Sequence, residues 1–405
     1  LKIVVQKFGG TSLATHEKRV RAVQKVLEAR EGDRRVVVVV SAMGRKPYPY
    51  ATDSLLSLLD EDVATVMPAE RDLLMACGEI VSSVVFAGML RKEGVACCAM
   101  TGRQAGIVTE STFGEAHIRK VKPDRVWENL QHGRVVVVAG FQGATETGAV
   151  TTLGRGGSDI TAAALGCALE AERVEVFTDV DGIMTADPRV VPQATRVSRL
   201  TYREVCEMAH LGARVIHPRA AEIATEGGVP LWIKNTFSRD EGTLIADRVR
   251  VVEGIPIKGD RVVSGIAHIA DLAQVNVNTS EVDPQVSLEV LQKLAEADIS
   301  LDLINVSPTK MSFTIKEAQV EPARRVLESF DLEAGIEGGY AKVSAVGAGM
   351  RGVPGVMAAI VEALTSAGIR IHQSADSHTS ISCLVRSEDL SPAATALHDR
   401  FDLYR

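Results

Sequence analysis

Residues 36–40 are five consecutive valines, and residues 135–139 read Val-Val-Val-Val-Ala. No other feature constrains the fold as strongly. β-Branched side chains favour strands. A strand with one wet face alternates apolar and polar residues, so an unbroken apolar run fits a strand covered on both faces, as in a parallel sheet between helices. Shorter apolar runs at 3–5, 95–99, 174–177 and 231–233 read the same way. Between the runs the apolar residues recur at helical spacing. Val20, Val23, Val26 and Leu27 make one stripe, with Thr15 placed to cap it. Further helices are predicted over 53–59, 70–91, 158–169, 201–211 and 218–225. Residues 1–245 therefore read as an α/β domain with an open, mainly parallel sheet and helices on both faces. Residues 44–51 hold Pro47, Tyr48, Pro49 and Tyr50 and read as an ordered or lid-like loop.

The texture changes at 246–261, where charges, Gly254, Pro256 and Gly259 suggest a linker. Beyond it the chain repeats itself. A shift of 70 residues places Pro284 on Pro354, Val286 on Val356, Leu294 on Leu364, Ala297 on Ala367 and Ile299 on Ile369. It also places Ser307 on Ser377, Thr309 on Thr379 and Ser312 on Ser382. Each copy reads strand, proline-bearing loop, helix, strand, turn, strand. Duplication explains this pattern, and two small α+β modules are expected at 262–340 and 341–405.

Bulk properties narrow the function. A chain of 405 residues suits two to four domains. The net charge of −7 is spread along the chain without a basic block, which argues against nucleic acid as a partner. Six cysteines, at 77, 97, 98, 167, 206 and 383, form no C-x-x-C pair, so a reduced cytoplasmic setting is expected. Residues 1–8 lack the apolar stretch and cleavage site of a signal peptide. No run of about 18 apolar residues stands out, so no membrane span is expected.

Three loops could carry chemistry. The first predicted strand runs into Gln6-Lys7-Phe8-Gly9-Gly10-Thr11-Ser12. Paired glycines let backbone N–H groups approach an anion, and Lys7 adds a positive charge, although this is not a P-loop. The second loop, Thr151-Thr152-Leu153-Gly154-Arg155-Gly156-Gly157-Ser158-Asp159, opens a helix, a setting that suits a carboxylate or phosphate. Arg155 can grip a carboxylate through two parallel hydrogen bonds. Asp159 also has a plain explanation, favourable interaction with the helix dipole. The third loop, residues 177–189, contains Asp179, Asp181 and Asp187 but not the spacing of a calcium loop. A turn-rich loop around a nucleotide is more economical. The first two loops follow predicted strands, where open α/β sheets bind ligands.

Together the loops resemble the aspartate kinase family within the amino-acid kinase fold. Lys7 through Ser12, Ala51-Thr52-Asp53, Cys77-Gly78-Glu79, Gly140-Phe141-Gln142-Gly143, Thr152 through Asp159 and Thr178 through Arg189 carry the resemblance. It covers the whole chain, because that family also ends in two ACT modules. Ser41-Ala42-Met43-Gly44-Arg45-Lys46 and Gln373-Ser374-Ala375-Asp376-Ser377-His378-Thr379 are most similar to the short bacterial members regulated by diaminopimelate. The resemblance implies ATP with Mg²⁺, and transfer of the γ-phosphate to the side-chain carboxylate of L-aspartate. It implies catalytic roles for Lys7 and Asp159, and nucleotide contacts from Lys7, Phe8, Gly9, Gly10, Thr178, Asp179, Met184, Asp187 and Arg189. The aspartate site would comprise Ser41, Thr52, Glu79, Phe141, Arg155 and Ser158. A feedback effector, meso-diaminopimelate or alternatively lysine or threonine, would meet Gly347, Gly349, Met350, Ile371 and Gln373. A homo-oligomer built through the ACT modules follows as well. Two places depart from the family pattern. Met184 stands where many relatives have Tyr, and Lys234-Asn235-Thr236-Phe237 occupies a region where some relatives place a nucleotide-contacting Lys.

The implied chemistry is coherent. A carboxylate acceptor is ionised at neutral pH and needs no general base. Such a site has to supply alignment and charge neutralisation for an in-line transfer. Arg155 toward the substrate α-carboxylate and Glu79 toward its ammonium would select an amino acid. Gly347-Ala348-Gly349-Met350-Arg351-Gly352 matches a dinucleotide fingerprint, but its module is small and duplicated, so an amino-acid-binding loop is preferred. The first copy lacks glycines at the corresponding place, 277–284. Two rivals remain at this point: an amino-acid kinase acting on another substrate such as glutamate, and a sensor whose kinase site has decayed.

Overall fold

The computed structural model describes residues 1–59, 65–213, 216–246, 261–278, 284–330, 334–350 and 353–404. Residues 247–260 of the predicted 246–261 linker, residues 279–283 of the first-copy loop, and Arg351 and Gly352 of the glycine-rich loop lie outside the described residues. The chain divides into two compact units. The first is residues 1–183, 196–209 and the described part of 214–255; the second is 184–195, 210–213 and the described residues from 261 on.

In the first unit the chain runs β1 (Ile3–Phe8), α1 (Gly10–Leu13), α2 (His16–Ala29), β2 (Arg35–Val40), α3 (Thr52–Leu56), α4 (Pro68–Lys92) and β3 (Cys97–Met100). It continues through β4 (Ile107–Thr109), β5 (Ile118–Val121), α5 (Asp124–Gln131), β6 (Val135–Ala139), β7 (Gln142–Ala144), β8 (Val150–Thr152) and α6 (Gly157–Ala168). Then come β9 (Arg173–Thr178), β10 (Arg199–Leu200), α7 (Tyr202–His210), α8 (Pro218–Gly227), β11 (Leu231–Asn235) and β12 (Thr243–Ile245). Eight strands form one sheet in the order β10-β12-β11-β9-β1-β2-β6-β3, parallel except at the β11–β12 pair. The valine runs lie in this sheet, and no residue of 36–40 or 135–139 is more than 1% exposed. Both faces are therefore covered, as the runs require. Thr15 caps α2 by accepting a hydrogen bond from the Lys18 N–H at 3.3 Å.

Buried charge inside this sheet is paired. Glu175 on β9 accepts from Gln6 on β1 at 2.8 Å, from Arg173 at 2.9 Å and from Lys234 on β11 at 3.1 Å. The two cations and the amide hold its carboxyl below the ordinary range, against the upward push of burial. A polar tie of this kind also discourages slippage between strands that are otherwise apolar.

α4 corrects one expectation from the sequence. Among the described helices it alone is long and apolar enough to cross a membrane. Half of its most apolar stretch is buried inside the unit, and its inward residues include Asp72, Glu79, Ser82 and Ser83 beside Met75, Phe86 and Leu90. It is a core helix that carries polar groups into the protein. A separate four-stranded sheet, β5-β4-β7-β8, was not foreseen. Three of its strands are three residues long, too short to show a period.

The second unit holds the duplicated modules. Its elements are β13 (Gly265–Asn278), α9 (Pro284–Glu296), β14 (Asp302–Val306), β15 (Lys310–Lys316), α10 (Val320–Glu328) and β16 (Ala334–Val346). They continue with α11 (Val356–Ser366), β17 (Gln373–Asp376), β18 (Ser380–Arg386) and α12 (Leu390–Arg400). One antiparallel sheet runs β14-β15-β13-β16-β18-β17, so the two modules share the long central strands, and residues 340 and 341 both fall inside β16. Each module keeps its own core. Val290, Leu294, Phe313 and Leu327 belong to one, and Ile360, Leu364, Val385 and Leu397 to the other.

Candidate active site

The strand ends of the first unit carry the predicted loops to one place. Successive side chains of β1 point to opposite faces. Phe8 points into the core, where it stacks on Phe177 at 4.9 Å and lies 5.6 Å from Phe86. Its side chain is fully buried, so any contact of Phe8 with a nucleotide must come from the main chain. Lys7, on the other face, reaches Asp159 of α6, with Nζ 2.6 Å from Oδ1 and each side chain 12% exposed. This is an ion pair by distance but is not aligned as a hydrogen bond. It joins the first loop to the first turn of α6, where the positive end of the helix dipole and Lys7 together favour an anion.

Glycines let these loops approach. A Cβ on Gly10 would lie 2.6 Å from the Ala42 carbonyl and 2.9 Å from that of Gly44. In its absence Gly44 N–H donates to the Gly10 carbonyl at 2.9 Å, and Ser41 N–H donates to Phe8 at 3.1 Å. A Cβ on Gly78 would lie 2.8 Å from Ala42 Cβ and from the Tyr50 carbonyl, so α4 can press Glu79 against the 42 loop, while Thr52 opens α3 just after Tyr50 and Ala51. On Gly157 a Cβ would meet Phe141 Cδ2 at 2.7 Å. Phe141 itself has φ +68°, a conformation that side chains seldom adopt. It is held there by its N–H donating to Thr161 Oγ1 at 3.1 Å and its carbonyl accepting from Leu153 N–H at 2.9 Å. Ser158 is buried beside Gly140, where a Cβ would lie 2.8 Å from Ser158 Oγ. Arg155 is exposed on the loop before α6.

Glu79 has the most unusual electrostatics. Its Oε1 accepts from Ala42 N–H at 3.0 Å, while Oε2 is buried without a partner among the described residues. Burial pushes its pKa up to about 8, and the Ala42 hydrogen bond offsets only part of that. A buried carboxyl with one unsatisfied oxygen is matched to a cation that can donate hydrogen bonds.

At the end of β9, Thr178 pairs with Asn235 of β11, and its hydroxyl donates to Asp179 at 3.2 Å. The Thr178 carbonyl accepts from Thr236 N–H at 2.9 Å and from its hydroxyl at 3.0 Å. Thr236 Oγ1 also lies 2.7 Å from Ser12 Oγ, which the sequence did not single out. Asn235 donates to Asp181 at 2.7 Å. Met184, Asp187 and Arg189 are not brought to this cluster by the first unit, because they lie on the 184–195 segment of the second. Arg189 binds Asp187 through Nε at 3.0 Å and Nη2 at 2.6 Å, which lowers the Asp187 pKa.

The predicted effector residues divide similarly. Gly347 and Gly349 are required by packing, since a Cβ on either would fall 2.2 Å from the Val262 carbonyl or 2.7 Å from that of Arg261. Met350 is buried in the second unit's core, and Ile371 packs against it. The Gln373 amide donates to the Leu303 carbonyl and accepts from Gln274 at 3.0 Å. The Met350 and Gln373 side chains are thus already engaged.

Residues 2–235 match the amino acid kinase family, and residues 335–399 match an ACT domain. The chain is 48% identical to Aspartokinase 1 of Bacillus subtilis (strain 168), covering all of both sequences. Its structure resembles E. coli aspartokinase III in complex with aspartate and ADP, with TM-score 0.76 at 27% identity over 98% of this chain and 99% of that one. The complex of the same enzyme with lysine and aspartate gives TM-score 0.78 at 26% identity, with the same coverage. The first unit thus has the architecture of a kinase of the amino acid kinase class. Within that class, the chain belongs to the aspartokinases.

Glu79 gives a pH prediction. Its folded pKa is raised from 4.5 to about 8, so the folded state holds a proton that the unfolded state releases between those values. Its contribution therefore destabilises the ligand-free fold progressively as pH rises through that window, and is constant outside it. Glu79→Gln should remove the dependence. The melting temperature of the variant minus that of the parent should grow between pH 5 and pH 8.5; parallel curves would show that Glu79 is ionised throughout.

Proposed function

We propose that the chain transfers the γ-phosphoryl group of ATP to the side-chain carboxylate of L-aspartate, giving 4-phospho-L-aspartate and ADP. The observation that carries this reading is the buried, half-unsatisfied Glu79 carboxyl, held against the Ala42 loop in a unit whose glycine-rich loops bear Lys7 and Arg155. An amino acid supplies the ammonium that Glu79 calls for, and Arg155 takes its α-carboxylate through the planar guanidinium. Phe141, Ser158, Thr52 and Ser41 line the aspartate side. Similarity to E. coli aspartokinase III, crystallised with aspartate and ADP, supports aspartate over other amino acids.

The acceptor carboxylate attacks the γ-phosphorus and the bond to the β-phosphate oxygen breaks, with no proton to be moved. Lys7 neutralises charge on the transferring group, and Asp159 holds Lys7 in direction. Gly9 and Gly10 admit the phosphates close to the main chain. Thr178, Asp179, Met184, Asp187 and Arg189 serve the rest of the nucleotide. Mg²⁺ supplies further charge neutralisation. It would be held by phosphates and water with few protein ligands.

The reaction opens the route from aspartate to diaminopimelate and lysine, methionine and threonine, in the cytoplasm. The second unit acts as the feedback sensor, for meso-diaminopimelate or alternatively lysine or threonine. E. coli aspartokinase III with bound lysine supports an amino-acid effector. β14 and β17 end the sheet, which favours a homo-oligomer through sheet edges, and Ile304 and Val306 stand exposed on β14.

Two variants test the assignment. Lys7→Ala should lower kcat by roughly 10²- to 10³-fold with a much smaller change in the KM for aspartate; unchanged turnover removes Lys7 from the mechanism. Arg155→Lys keeps the charge but loses the fork, and should raise the KM for aspartate by roughly ten-fold while sparing that for ATP. An effect on ATP alone would move Arg155 to the nucleotide.

A further inference from the structure

The loop that presents Arg155 is gripped from two sides by opposite charges. Asp72 on α4 is 1% exposed. Its Oδ2 accepts from the N–H groups of Thr152 at 2.7 Å and Gly114 at 3.0 Å, and its Oδ1 accepts from the Thr152 hydroxyl at 2.9 Å. Arg219 on α8 donates through Nη1 to the Leu153 carbonyl and through Nη2 to the Ala116 carbonyl, each at 3.1 Å. The two gripped segments also hold each other, with Ala116 N–H donating to the Thr152 carbonyl at 2.9 Å. All five grip bonds but one end on main-chain atoms of 114–116 and 152–153, immediately before Arg155. Arg155 itself makes no hydrogen bond or ion pair among the described residues. What the fold fixes is therefore the point and direction from which its side chain leaves the main chain.

The geometry points to Asp72 and Arg219 as positioning residues for Arg155: a carboxylate that gathers N–H groups and a guanidinium that gathers carbonyls fix the loop from which Arg155 meets the substrate carboxylate. This rests on Arg155 binding substrate, as proposed above. A simple packing role is a poor account of the pair. An apolar contact would hold the loop's position, but it would not fix the orientation of two N–H groups, one hydroxyl and two carbonyls at once. Asp72 also lies seven residues before Glu79, two turns along the same helix. Between them the Ala76 carbonyl accepts from Gln142 at 2.9 Å, next to Phe141. One helix face thus sets three parts of the aspartate side in register.

The test is a double-mutant cycle in the full-length protein. Asp72→Asn keeps the shape but turns one acceptor into a donor facing N–H or O–H groups. It should raise the KM for aspartate by about ten- to a hundred-fold, with the KM for ATP held within about two-fold. In an Arg155→Ala background the same change should add less than about two-fold, because the residue it acts through is gone. A folded Asp72→Asn protein with an unchanged KM for aspartate overturns the inference. So does one that adds its full factor without Arg155, or one that loses kcat with both KM values unchanged. If Asp72→Asn does not fold, Thr152→Val removes only the hydroxyl contact and should raise the KM for aspartate several-fold, with Thr152→Ser restoring it. An unchanged Thr152→Val enzyme overturns the inference equally. Arg155→Ala alone keeps the two readings apart. If it leaves the KM for aspartate unaltered, the substrate assignment fails; if it raises that KM and Asp72→Asn does not, only the positioning role fails.

Discussion

The catalytic unit depends on a sheet whose central strands run parallel and are buried on both faces. Parallel strands in register finish on the same edge. Phe8 pairs with Val40 and with Phe177, Val40 with Ala139, and Thr178 with Asn235. The loops after β1, β2, β6, β9 and β11 are consequently neighbours, although the strands end as far apart in the sequence as Phe8 and Asn235. Nothing in the loops themselves is needed to gather them. The loops decide only how closely they approach. At Gly10, Gly78 and Gly157 the approach is closer than any side chain would allow. The Lys7–Asp159 pair follows from that arrangement, since a lysine at the end of β1 and an aspartate in the first turn of α6 are brought within reach with little solvent between them. In such a place a charge acts more strongly than it would in water.

α4 shows how one helix can carry two carboxyl groups with opposite purposes. Asp72 accepts three hydrogen bonds, so its charge is fully used within the protein. Glu79 accepts one, keeps an unsatisfied oxygen, and has its pKa pushed up to about 8 by burial. The first arrangement stabilises a loop. The second stores a cost that an incoming cation can relieve, and binding energy of this kind discriminates strongly against a ligand that lacks the matching group. The difference lies in the number of N–H groups the surroundings supply, not in the residue type.

Much of this was legible in the sequence, for identifiable reasons. Valine runs report burial on both faces directly. The 70-residue repeat carries through to backbone detail: Ser307 N–H donates to Lys310 as Ser377 does to Ser380, and the short helical turns at Glu317–Gln319 and Ser387–Asp389 occupy the same place in each copy. Matched core positions such as Leu294 and Leu364 are fully buried in both. What the sequence hid were contacts between distant segments. A charged residue inside an apolar helix was the visible sign of Asp72, but its partners lie 42 and 80 residues away. Arg219 has partners 66 and 103 residues away and no local signal at all. Phe8 and Met350 sit inside motifs that suggest a ligand contact, yet alternation along β1 sends the Phe8 side chain to the core and Met350 packs into the second unit's core.

The 184–195 segment joins these themes. By sequence it continues the nucleotide loop, yet it is built into the second unit. Thr185 Oγ1 lies 2.9 Å from His398 Nε2, Thr195 donates to the Leu403 carbonyl at 2.9 Å, and Ser391 donates to Val190 at 2.8 Å. Ala186 and Val191 are part of the same core as Ile360 and Leu397. Feedback control requires an effector to favour one of two states that differ at the kinase site. Asp187 and Arg189 lie between Ala186 and Val191 of that core, so a repacking of the core cannot leave them unmoved. Couplings of this sort are typically 1–3 kcal/mol. That is comparable to the contribution of one or two buried hydrogen bonds, and the 184–195 segment is held within the second unit by one such bond, between Thr185 and His398, together with the buried side chains of Ala186 and Val191.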